Sequence, residues 1–196
     1  PGISFYFDGL TLVMMSVITG VGFDISEGIA TRGGQYVDLE GENFGPDMTY
    51  VERISFGPSG GEYLLHDAEA KVLYCDMTVP HKVFRCRIPA GYGQRHYFTI
   101  TVAGQKTSAL DISDAERISF KTPVISSVSP VNGTSKGGYS VTITGTNFGP
   151  SAGAVLAFWD KLYSAFPLTY FNHEKMTFEV PPGQGAARVL KVGHAS

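Results

Sequence analysis

One stretch of this chain occurs twice, and that repetition constrains the fold more than any other feature. The segment from Gly33, GGQYVDLEGENFGP, aligns without gaps with the segment from Gly137, GGYSVTITGTNFGP. Gly41, Asn43, Phe44 and Gly45 fall on Gly145, Asn147, Phe148 and Gly149, every pair at an offset of 104. A unit of that length is a whole domain and not a solenoid repeat. A second block agrees: Ile88-Pro89-Ala90-Gly91-Tyr92-Gly93 matches Val180-Pro181-Pro182-Gly183-Gln184-Gly185 at an offset of 92. The second copy is shorter between the blocks, as repeats are when their loops vary.

Weaker echoes extend the pattern. Ile3-Ser4-Phe5 resembles Ile118-Ser119-Phe120, and Ser16-Val17 resembles Ser127-Val128. The expectation is a piece of a longer array, with residues 1–16 as the last strand and linker of a preceding repeat. Residues 17–122 then make a first repeat and 123–196 a second, truncated at its C-terminal end.

The repeated stretch reads as strand and corner. In Tyr36-Val37-Asp38-Leu39-Glu40 and Ser140-Val141-Thr142-Ile143-Thr144 the apolar residues fall two apart, which gives a strand one buried and one wet face. Val37, Leu39, Val141 and Ile143 should point inward. The Gly-x-Asn-Phe-Gly-Pro that follows suits a sharp corner, because glycine and asparagine tolerate positive φ and proline ends a ladder. Phe44 and Phe148 should plug the core. Tyr97 to Val102 alternates again, with Phe98, Ile100 and Val102 inward, and Arg188 to Val192 takes that part in the second copy through Leu190 and Val192. No stretch carries helical periodicity. The 24 glycines, above the usual ~7%, sit in discrete turns and not in a low-complexity tract. The fold class expected is all-β, with tandem sandwich domains.

Residues 123–130 (PVISSVSP), then Gly137-Gly138 and VTITGTNFG, followed later by Pro181-Pro182-Gly183-x-Gly185, resemble an IPT/TIG domain, an immunoglobulin-like sandwich. The resemblance covers most of residues 17–196, although the first copy has Gly20-Val21-Gly22-Phe23 in place of the SxSP start. IPT/TIG domains occur in plexin and Met-like receptors, in long surface proteins, as accessory modules of starch-acting enzymes, and in Rel-type transcription factors. The tandem arrangement is nearest the cell-surface branch.

Charge and cysteines point the same way. Lys and Arg number 15 against 18 Asp and Glu, for a net charge of −3, and no basic cluster exceeds a pair. A phosphate-binding stripe is therefore absent and nucleic acid is not an expected partner. Leu10 to Ile18 is apolar but half the ~20 residues a spanning helix needs, so no membrane span is expected in this stretch. Cys75 and Cys86 suit neighbouring strands of a hairpin and have no counterparts in the second copy, where Phe178 replaces Cys86. A disulfide explains their shared presence better than two unrelated thiols, and it requires an oxidising compartment. Asn132-Gly133-Thr134 is a glycosylation sequon in a turn, a tripeptide that also arises by chance.

No catalytic constellation emerges. His66, His81, His96, His173 and His194 are scattered, with no HExxH or Cys/His spacing for a metal, and His96 and His173 read as surface side chains. No GxSxG elbow exists. The recurrent Gly91-x-Gly93 and Gly183-x-Gly185 read as turns and not phosphate loops. The acidic pairs Asp111 with Asp114 and Glu40 with Glu42 lack the density of a calcium loop. The expectation is no enzyme, no cofactor and no metal. Trp159 and Tyr163, in an aromatic-rich stretch, read first as core and inter-repeat packing, and otherwise as an exposed contact for a protein or a sugar.

The function expected is a structural, adhesive or recognition segment of an extracellular or cell-surface protein, with neighbouring Ig-like repeats and a surface protein or glycan as partners. A self-assembling filament or coat component is a special case. A carbohydrate-binding accessory module of a secreted enzyme is the alternative, and a transcription factor's dimerisation domain the second.

Overall fold

The computed structural model describes residues 16–18, 28–107, 117–151, 155–159, 168–184 and 189–194. Among them the chain is built of strands, with one 3-10 turn at Met48–Tyr50 and no α-helix.

The first half forms two antiparallel sheets. One carries β1 (Ser16–Ile18), β2 (Tyr36–Glu40), β7 (Val83–Arg87) and β6 (Cys75–Val79), in that order. The other carries β5 (Val72–Leu73), β4 (Tyr63–Asp67), β3 (Val51–Gly57), β8 (Tyr97–Val102) and β9 (Gln105–Lys106). Their inner faces share one core. Val37, Leu39, Phe84, Cys75 and Cys86 come from the first sheet, and Ile54, Phe56, Leu65, Phe98 and Ile100 from the second. Val102, expected inside, is partly buried at the rim of the same core. The chain crosses between the sheets at Tyr74, whose N–H donates to Leu65 O (2.8 Å) while its carbonyl accepts from Arg87 N (2.8 Å).

The second half repeats the design on a smaller scale. Here β10 (Val124–Ser129), β11 (Ser140–Thr146), β14 (Lys175–Glu179) and β13 (Leu168–Phe171) form one sheet, and β12 (Val155–Trp159) pairs with β15 (Leu190–His194). Val141, Ile143, Met176, Phe178 and Phe148 fill the core, with Leu190 and Val192 packed against it.

Register places the repeated residues in matching positions. Val17 lies opposite Leu39 and Val128 opposite Ile143. Val37 lies opposite Cys86 and Val141 opposite Phe178. The corners share two hydrogen bonds. Gly41 N donates to Lys82 O at 2.9 Å and Gly145 N to Glu174 O at 2.8 Å. Phe44 N donates to His81 O at 3.2 Å and Phe148 N to His173 O at 3.0 Å. Asn43 and Asn147 hold φ of 63° and 60°, and both phenylalanines are fully buried.

One sequence expectation is corrected. His96 is not a surface side chain: it is 1% exposed, ringed edge-on by Phe56, Tyr63 and Phe120 with centroids 5.8, 5.7 and 5.5 Å away. Its backbone pairs in both directions with Ile118, which commits the alternation at this point and turns the imidazole inward. Nε2 lies 3.0 Å from Tyr92 O, so the neutral tautomer that donates from Nε2 fits, and Nδ1 has no hydrogen-bond partner. His66 is buried as well, and His173 is half-buried. Burial pushes the His96 pKa below its ordinary value, against the pull of the Tyr92 and Gly93 carbonyls.

Two predictions follow from this packing. Gly33 and Gly137 both sit at φ 67°, and a β-carbon at either would run into the backbone of Pro89 or Pro181. Gly33→Ala and Gly137→Ala should each cost about 2 kcal/mol or more in denaturant titration. Equal stability to the parent would contradict the shared close approach of these glycines to the proline backbones. Because folding favours neutral His96, its contribution is complete above the unfolded pKa of 6.5 and is lost as pH falls through it towards the lower folded value. Unfolding midpoints between pH 5 and 8 should therefore drop on the acid side, and less so in His96→Leu; parallel curves would refute the assignment.

Candidate functional site

Among the described residues, the outer face of the sheet β1-β2-β7-β6 gathers an organised set of exposed side chains. Alternation dictates its membership. Val37 and Leu39 on β2, Phe84 and Cys86 on β7, and Cys75 on β6 point inward. Tyr36, Asp38, Arg85, Arg87, Tyr74 and Asp76 consequently face out.

Register sorts them into cross-strand rows. In one, Asp38 lies opposite Arg85, and Arg85 opposite Asp76 on the other side. Arg85 grips Asp38 with both arms, Nε to Oδ1 at 2.7 Å and Nη2 to Oδ2 at 2.6 Å. That hydrogen-bonded carboxylate holds the guanidinium pKa above its ordinary value. In the adjoining row Tyr36 lies opposite Arg87, and Arg87 N bonds Tyr74 O on the far side. Tyr36 is 55% and Tyr74 49% exposed. Arg87 is exposed too, and among the described residues its side chain has no ion pair or hydrogen bond.

Beneath this face, Cys75 and Cys86 lie opposite each other on β6 and β7 and are joined by a disulfide, Cα atoms 4.1 Å apart. In the second half Leu168 lies opposite Phe178 at the corresponding place. An apolar pair there occupies the position of the bond.

A second cluster joins the halves. Arg32 Nη2 is 2.6 Å from Glu174 Oε1, and Thr31 Oγ1 is 3.2 Å from His173 Nδ1. Burial and then the Arg32 charge lower the His173 pKa, and Glu174 opposes them. Both ionic partners are more than half exposed, so the pair orients the joint more than it stabilises it.

The residues singled out from sequence distribute unevenly. The corner residues Gly41, Asn43, Phe44 and Gly45, with Gly145, Asn147, Phe148 and Gly149, serve architecture. Asn132 and Thr134 lie in an exposed turn. Trp159 ends β12, while its side chain and all of Tyr163 lie outside the described residues, as do Asp111 and Asp114. Glu40 and Glu42 belong to no metal-holding cluster; among the described residues none of three or more His, Cys, Asp or Glu occurs. Sequence reasoning missed the Tyr36–Arg87–Tyr74 row. Alternation about Val37 signalled an outward Tyr36, but only the register brings Arg87 and Tyr74 beside it.

Against known proteins, none of the curated ones matches the chain. Among solved structures, the surface glycan-binding protein PbSGBP-B from Prevotella bryantii is similar over 94% of this chain, at 16% identity and a TM-score of 0.51. The plexin A4 full extracellular region, domains 1 to 8, aligns over 94% at 16% identity and a TM-score of 0.35. The chain spans 39% of the former's length and 18% of the latter's, and at such identities the likeness concerns fold alone. The model of the IPT/TIG domain matches residues 123–196. By that match, residues 123–196 are similar to the IPT/TIG domain family.

Proposed function

We propose that this chain is a non-catalytic recognition and spacer segment of a multi-repeat extracellular or cell-surface protein. The observation that carries the reading is the recurrence of one hydrogen-bonded corner in two sandwich units, directly joined through Thr31, Arg32, His173 and Glu174. Two similar units in contact make a rod with a defined joint, which is what a spacer requires. The buried disulfide supports an oxidising compartment. The exposed sequon at Asn132 suits the same compartment. PbSGBP-B, which has a similar fold, is named as a surface glycan-binding protein.

Carbohydrate recognition is a second reading, favoured by the two exposed tyrosines that flank Arg87 on an open sheet face. Aromatic rings with a polar tip suit the mixed apolar and hydroxylated surface of a sugar.

Intact mass of the native protein, before and after reduction and enzymatic deglycosylation, tests the compartment. A gain of two hydrogens on reduction and loss of glycan from Asn132 are expected; free thiols with a bare polypeptide mass would return the chain to an intracellular setting. The bond's energetic role is checked separately. Cys75→Ala with Cys86→Ala should lower unfolding free energy by about 2–3 kcal/mol in chemical denaturation. An unchanged midpoint would show that the core, and not the cross-link, holds β6 in place.

A further inference from the structure

The row Tyr36–Arg87–Tyr74 is organised for a ligand, and the geometry points to a carboxylate-bearing oligosaccharide. This rests on the recognition reading and names the class of its ligand.

The fold does not dictate the row. The position of Tyr36 opposite Arg87 corresponds in the second unit to Ser140 opposite Glu179, a small hydroxyl facing the opposite charge. Likewise Asp38 opposite Arg85 corresponds to Thr142 opposite Thr177. At these two positions the same sheet therefore stands without an aromatic or a cation. Nor does the local electrostatics use Arg87. Arg85, two residues earlier on the same face, is already neutralised by the bidentate Asp38. Arg87 is left as a planar cation with five donors, and its own row holds no acid to receive them.

Such a fork matches a carboxylate, whose two oxygens accept in parallel. The tyrosines supply the remainder. They stand one strand to either side of Arg87, so their backbones are two strand spacings apart, about 10 Å. That separation suits the first and third rings of an oligosaccharide, each laying its C–H face on one phenol while hydroxyls meet the phenolic oxygens. The Asp38–Arg85 pair borders the row and offers further donors and acceptors to ring hydroxyls. An acidic peptide would also satisfy Arg87. It would bring side chains needing an apolar pocket to anchor in, however, and a flat row of two phenols suits a ring that stacks.

The test uses the 196-residue chain with its disulfide intact, and calorimetric titration with tetragalacturonate and with sialyllactose. Their neutral counterparts are methyl-esterified tetragalacturonate and lactose; poly-glutamate is the peptide control. At least one acidic sugar should bind while the neutral sugars and poly-glutamate do not, and which of the two binds tells a uronate from a sialic acid. Arg87→Gln should weaken binding about tenfold or more. Tyr36→Ala and Tyr74→Ala should each weaken it by about threefold to tenfold. Tyr50→Ala, an exposed tyrosine elsewhere, should leave it unchanged. Thermal unfolding of each variant checks that it is folded. Absence of binding to both acidic sugars, equal binding of the esterified one, or binding of poly-glutamate with the same variant sensitivity would overturn the assignment. None of these would disturb the disulfide and glycan masses on which the extracellular reading is judged, so the two fail separately.

Discussion

A strand that runs out of its sheet carries buried N–H groups beyond the last ladder partner, and each group left unpaired there would cost as much as a lost hydrogen bond or more. In both units that difficulty is met in the same way. The glycine at the strand end and the phenylalanine three residues on donate to two successive carbonyls of the facing turn, Lys82 and His81 in one unit, Glu174 and His173 in the other. The asparagine between takes a left-handed conformation so that the phenylalanine can drop back between the sheets. Phe44 then stacks on Phe84 at 4.5 Å, and the core is built around that contact. The corner thus joins backbone satisfaction to core packing, which is why a change in any of its residues should be felt on both counts.

With the inner faces committed to that core, the two units differ at outward positions and also at a cross-strand pair beneath. The first unit has a disulfide where the second has Leu168 against Phe178, and a tyrosine and arginine where the second has Ser140 and Glu179. A sandwich sheet tolerates such exchange since outward residues contribute little to folding, and this freedom leaves room for tyrosine and arginine in one copy and for serine and glutamate at the same positions in the next.

Much of this was legible in the residues. Period-two alternation located Val37, Leu39, Val141 and Ile143, and the Gly-x-Asn-Phe-Gly pattern located both plugs, because these signals are local in the chain. The Cys75–Cys86 spacing foretold adjacent strands for the same reason. What stayed hidden depends on pairing between distant segments. His96 looked like an exposed loop residue because nothing near it in sequence reveals that Ile118 will bind its backbone on both sides. The Tyr36–Arg87–Tyr74 row needed the registers of three strands, and the Arg32–Glu174 contact needed the orientation of one unit on another. Trp159 and Tyr163 drew attention by composition, yet the organised aromatic surface among the described side chains lies in the other unit.

The covalent bond between β6 and β7 also has a mechanical meaning. Its two ends are 11 residues apart in sequence, so a chain drawn out by its termini cannot pay out the hairpin between them. At full extension that withheld slack amounts to about 36–40 Å. In a rod under tension the first unit would lengthen less on rupture than its size implies and keep β6 tethered to β7. The second, held at the same place by Leu168 and Phe178 alone, would surrender its whole contour length.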